Sequence, residues 1–147
     1  MKRTTVVEII ALLFCVLFLY TGVAKLIDYD VAVEQIALTP LLEPIASMIS
    51  IGLPILEIIT AALLFIPETR KKALYASLFL MISFTGYIIY ILNYNAELPC
   101  TCGGILQQMT WPQHLVFNSA FILFSITGIL LSRNRKIMDQ KTSLAHS

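Results

Sequence analysis

The sequence predicts an all-α membrane protein, a four-transmembrane-helix bundle that forms a single domain over residues 1–147. Three observations predict it. Hydrophobic residues make up 58% of the chain and charged residues 13%, with a mean hydropathy of +0.83, which leaves too little polar surface to coat a soluble globule of this length. The apolar residues gather at Val6 to Leu26, Ile45 to Ile66, Ala73 to Leu92 and Leu115 to Leu131, each near the roughly 20 residues a helix needs to cross a bilayer core. The short alternating segments of a membrane β-barrel are absent, and unpaired backbone cannot face lipid, which leaves helices.

Each element follows in order, with spans at about 5–27, 43–66, 72–93 and 113–132. The first carries a weak small-x-small cleavage pattern, Gly22-Val23-Ala24, but its apolar run from Val6 past Tyr20 exceeds the core of a signal peptide, so it reads as a retained span. Val31 to Leu38 is mildly amphipathic and stops at Pro40, which suits a short interfacial helix on the outer membrane surface. Gly52 and Pro54 interrupt the second span, where proline's missing N–H predicts a kink. On the third, Tyr87, Tyr90 and Tyr94 recur at helical spacing toward the outer surface, and an aromatic belt explains them more cheaply than a cofactor pocket does. Trp111 reads likewise as an interface anchor, and Pro112 sits where the fourth helix should begin.

Orientation follows from the ten basic residues. Lys2 and Arg3 precede the first span, Arg70, Lys71 and Lys72 separate the second from the third, and Arg133, Arg135, Lys136 and Lys141 follow the fourth. Only Lys25 lies elsewhere. The positive-inside rule then places both termini in the cytoplasm and the other two connections outside. These short basic flanks give no extended patch for nucleic acid.

The outer connection between the third and fourth spans holds Pro99-Cys100-Thr101-Cys102-Gly103-Gly104. Two thiols one residue apart can close an eleven-membered ring, tight enough that the bond should be strained and therefore oxidising. A disulfide closing so small a loop stabilises a fold little, which argues against a purely structural staple. Gly103 and Gly104 remove side chains beside the sulfurs, so another protein's backbone can approach. A redox pair, half of a soft-metal site and a structural bond remain the three readings.

Four other polar residues carry candidate chemistry. His114, at the outer start of the fourth helix, could take a thiol proton or bond a quinone carbonyl, or simply anchor the helix end. Asn118 lies one turn on and Ser125 continues the same face, a stripe that should look into the bundle. Glu57 within the second span must be neutral, paired or near water, and Lys25 is the obvious candidate partner. Cys15, in the middle of the first span, reads as a small buried hydrophobe.

Tyr20 through Asp28 (YTGVAKLID), Leu53 through Glu57 (LPILE), Cys100 through Gly104 (CTCGG) and Trp111 through His114 to Asn118 together resemble the MauE/DoxX-like membrane proteins, of which MauE is the methylamine utilisation member. The resemblance covers all four spans, and the C-x-C motif followed by Trp, His and Asn is its more specific part. It implies a four-helix inner-membrane protein associated with redox maturation of envelope proteins, often beside a thioredoxin-like partner. Cys100 and Cys102 would be the redox pair, with Lys25 and Glu57 as recurrent positions of unclear role.

The resulting expectation is a thiol–disulfide oxidoreductase or redox relay of the bacterial inner membrane. It would act on periplasmic protein thiols through Cys100 and Cys102, with His114 beside them, by way of a mixed disulfide. No second cysteine pair lies in the cytoplasmic segments or the spans, so oxidation by a membrane quinone is the economical return path. Tyr90 and Asn118 are its candidate contacts, although no motif marks a quinone site. Two other classes stay open. Cys100, Cys102, Met109 and His114 form a soft ligand set for copper or zinc, and a non-catalytic adaptor could deliver or stabilise a periplasmic partner.

Overall fold

The computed structural model describes residues 2–94 and 108–145, and their regular structure is entirely helical. Helix α1 covers Arg3–Ile27, α2 Tyr29–Ala37, α3 Ala46–Phe65, α4 Arg70–Tyr94 and α5 Trp111–Ala145, with one 3-10 turn at Glu43–Ile45 ahead of α3. The span regions of α1, α3, α4 and α5 are long and apolar enough to cross a membrane. The most extensive packing is α1 on α3 and α4 on α5, with α1 on α5 and α3 on α4 closing the ring. This is an up-and-down four-helix bundle in which sequence neighbours are spatial neighbours.

Side chains are distributed as a lipid solvent demands. Leu12, Val16, Ile59, Phe79, Val116 and Leu123 all point outward and are exposed, because an apolar exterior costs nothing against hydrocarbon. Inside, one half of the bundle is mainly apolar. Phe14 is fully buried and meets Phe121 edge-to-face with centroids 5.0 Å apart, an arrangement favoured by the ring quadrupoles. Leu64, Leu74, Ile10 and Ile129 fill the space around it, and Ala11, Ala61 and Ala73 let the backbones approach. Cys15 is buried there, its sulfur 3.5 Å from the Ala61 carbonyl oxygen.

Two turns explain where the helices stop and start. At the end of α3, Thr69 donates its hydroxyl proton to the Leu63 carbonyl and Arg70 Nε donates to that of Leu64, satisfying carbonyls the helix leaves open. Ahead of α5, Gln113 Oε1 accepts from the Thr110 backbone N–H at 3.0 Å, the returning half of a Thr-x-x-Gln capping box. That box fixes the helix start two residues before the expected 113. At its far end α5 continues to Ala145 rather than stopping near 132, because Ser132 through Ala145 holds no Pro or Gly and many good helix formers. Helix α3 runs as one element through buried Pro54. Arg3 reaches Met138 at 3.8 Å and Arg70 reaches Glu8 at 3.8 Å, so the basic residues of three helices gather at one end.

Candidate functional site

Opposite the basic end the bundle interior turns polar. On α1, Thr21 and Lys25 are one turn apart and share the face toward α3, and on α5 His114 and Asn118 do the same toward the bundle axis. Glu57 comes from the middle of α3. These five residues, with Phe84 of α4, line a cavity of about 30 Å³. All five are buried: Glu57 is 0% exposed, His114 2%, Asn118 4%, Lys25 5% and Thr21 6%. Four separate helices therefore contribute to one site of buried polar side chains.

Gly22 makes this convergence possible. A Cβ there would lie 3.0 Å from the Ile58 side chain and 3.2 Å from the Pro54 carbonyl oxygen, so only glycine lets α1 sit this close to α3. The close approach brings Lys25 Nζ within 2.5 Å of Glu57 Oε1. The other carboxylate oxygen, Oε2, lies 3.2 Å from Thr21 Oγ1, which is also 3.0 Å from the Leu17 carbonyl. One hydroxyl proton can serve only one of these acceptors at a time. Lys25 Nζ additionally stands 4.5 Å from the centroid of the Phe84 ring, a cation–π placement that replaces part of its lost hydration.

The pair is held where a charge alone could not remain. Removing one partner of a buried ion pair costs about 3–5 kcal/mol, because the other is left uncompensated. Asn118 adds a further polar demand: among the described residues its Nδ2 has no hydrogen-bond partner. The cavity it lines exceeds the roughly 10–15 Å³ that one water needs. An imidazole, an ammonium, a carboxylate and an amide around such a space form a site able to accept, hold and return a proton.

Ser125, further along the same face of α5, is fully buried and donates to the Leu74 carbonyl of α4 at 2.9 Å, which ties two helices together. Tyr90 is half-buried on α4 and does not line the cavity. Met109 is half-buried in the turn before α5. Cys100 and Cys102 lie outside the described residues, so the expected soft-metal set is represented here only by Met109 and His114. Among the described residues no group of three His, Cys, Asp or Glu side chains gathers as a metal site. Sequence reasoning missed Thr21 and Phe84. Thr21 carried a signal, its position one turn before Lys25, whereas nothing distinguished Phe84 from the other aromatic residues of the spans.

The family model described as "Methylamine utilisation protein MauE" matches residues 3–131, which takes in all four apolar spans and every residue of the polar cavity. No curated protein and no solved structure matches the chain. The four apolar helices and this match make the chain a multi-pass membrane protein that belongs to the methylamine utilisation protein MauE family.

Proposed function

We propose that this MauE-family chain is a thiol–disulfide oxidoreductase or redox relay of the bacterial inner membrane, acting on periplasmic protein thiols through Cys100 and Cys102. The observation that carries the reading is the position of the buried polar site. Helix α4 ends at Tyr94 and α5 begins at Trp111, so the segment bearing the two cysteines joins the bundle at the end where His114, Lys25, Glu57 and Asn118 converge. The first turn of α5 sends His114 directly into that cavity. A dithiol whose flanking helices carry proton-handling groups suits exchange chemistry, because thiolates attack and thiols leave.

In the forward reaction a thiolate of the partner attacks one sulfur of the Cys100–Cys102 bond and forms a mixed disulfide. The partner's second thiolate then breaks that bond, which leaves the partner oxidised and Cys100 and Cys102 as thiols. Two electrons and two protons have moved to this chain. His114 is suited to take the proton of an attacking thiol and to return one to the departing sulfur. A thioredoxin-like protein with its own cysteine pair is the fitting partner.

The charge pattern supports the orientation. With the basic residues other than Lys25 toward one end of the bundle, the positive-inside rule favours the cytoplasm for that end and the periplasm for the cysteine segment.

Trapping tests the proposal. Cys100→Ala and Cys102→Ala are expressed separately in cells, thiols are quenched with acid and alkylating agent, and adducts are resolved without reductant. One of the two variants is expected to accumulate a reducible adduct with a periplasmic protein. Absence of any such adduct from both variants, with both proteins present in the membrane, contradicts the assignment.

A further inference from the structure

A second space opens beside the polar cavity. It is a groove of about 170 Å³ between α2, α3 and α4, walled by Ile36, Ile49, Leu53, Leu80, Phe84 and Tyr87. Its walls are almost entirely apolar. The volume admits a six-membered ring, since a dry cavity of about 150 Å³ is enough to take benzene.

Two features set this groove apart from a gap filled by any acyl chain. The first is a hydroxyl pair. Tyr87, which lines the groove, has its phenol oxygen 3.3 Å from Thr39 Oγ1. Whichever of the two donates, a second hydroxyl proton is left over, and among the described residues no other side chain or carbonyl takes it. A ligand with a carbonyl oxygen would accept that proton. The second feature is Phe84. Among the described residues it is the side chain common to both spaces, with Lys25 Nζ 4.5 Å from its ring centroid. A flat ring in the groove would stack beside Phe84 and stand one aromatic side chain away from the Lys25–Glu57 pair.

We infer that this groove binds the ring of an isoprenoid quinone, with a ring carbonyl accepting from the Tyr87–Thr39 hydroxyl pair and the tail leaving toward lipid. The inference rests on the redox reading of Cys100 and Cys102 and supplies its electron acceptor. The reaction balances without another reactant. Two thiols become a disulfide, the two electrons and two protons released reduce the quinone, and both ring oxygens leave as quinol hydroxyls. The groove places the acceptor on Tyr87 and Phe84 rather than on the Tyr90 and Asn118 expected from sequence, with Asn118 in the cavity behind Phe84.

The test uses the full chain in phosphatidylcholine nanodiscs and a benzoquinone with a decyl tail. Binding is measured by calorimetry, reduction of the Cys100–Cys102 bond by a small dithiol, and reoxidation by the quinone. Ser83, an exposed residue on the groove wall, is replaced in Ser83→Trp to fill the space from its rim, and Tyr87→Phe removes the hydroxyl. The wild type should bind one equivalent of quinone. Ser83→Trp should weaken binding at least about tenfold and Tyr87→Phe about three- to tenfold, the range for one lost hydrogen bond. Reoxidation should slow in the same order, while reduction by the dithiol stays at the wild-type rate in both variants.

No binding by the wild type, or wild-type affinity in both variants, overturns the inference. So does equal affinity for the quinone and for a decyl alcohol that lacks the ring, which would make the groove a site for any alkyl chain. A protein that binds quinone as described but whose cysteines do not exchange with dithiols supports the groove and refutes the redox reading, so the two failures are distinguishable.

Discussion

The two halves of this bundle treat polar groups in opposite ways. Toward the basic end, Phe14, Leu64, Leu74 and Ile129 pack with small residues, and the polar side chains among them are neutralised locally: Ser77 donates to the Ala73 carbonyl and Ser125 to that of Leu74. At the other end Lys25, Glu57, His114 and Asn118 converge on a cavity that leaves the Asn118 amide nitrogen without a partner among the described residues. Burying ionisable groups within a membrane span is expensive, and an apolar replacement would pack as well or better. The first half accounts for the fold, and the second carries the groups on which the proposed chemistry draws.

That contrast can be broken most forcefully through Phe14. Phe14→Ala should lower stability in detergent by about 3–5 kcal/mol, the range for emptying a core aromatic site, while folded protein keeps its rate of disulfide exchange. Thermal unfolding and a dithiol-reduction assay measure the two effects. Equal losses in both would show that the halves are not separable.

Glu57 probes the other side. Glu57→Gln leaves Lys25 buried without its counter-charge and should cost about 3 kcal/mol, whereas adding Lys25→Met should recover part of that loss. The double-mutant cycle by thermal unfolding reads the coupling directly. A double variant restored in stability but slow in exchange is the expected result. Strictly additive losses would show that the 2.5 Å pair does not act as a unit.

The smallest effect on stability is expected at Asn118. Asn118→Leu removes a buried donor that has no acceptor among the described residues, so stability should stay level or rise by about 1 kcal/mol. The rate of exchange with a dithiol partner should nevertheless fall, because the cavity loses the polar group beside His114. A destabilised protein with normal exchange would assign Asn118 to the packing of the bundle instead.

How much of this was legible in the sequence differs between the halves as well. The four helices follow from the lengths of the apolar runs, since a bilayer fixes the length of what spans it. Helix ends are harder to read: α5 runs on to Ala145 because helix-forming residues continue the hydrogen-bond ladder after hydropathy has ended. Lys25 and Glu57 stand out in sequence as charges in apolar surroundings, but their depth depends on the register of α1 against α3. That register is set by the close contact of Gly22 with Pro54 and Ile58, a tertiary fact no local pattern reports. His114 and Asn118 share a helical face by spacing alone, yet their meeting with Glu57 requires packing across the bundle axis. The partition role of Phe84 had no signal at all, because a phenylalanine in a membrane span is ordinary.

The central claim concerns the Cys100–Cys102 bond, and its reduction potential tests that claim most directly. The intact protein in nanodiscs is equilibrated with graded dithiol/disulfide buffers, quenched with acid, and the free thiols are counted by alkylation and mass spectrometry. A redox role predicts a two-electron transition above about −300 mV, in the range of bonds that exchange with other proteins. A potential below that value, or two cysteines that never form a bond with each other, would contradict the account.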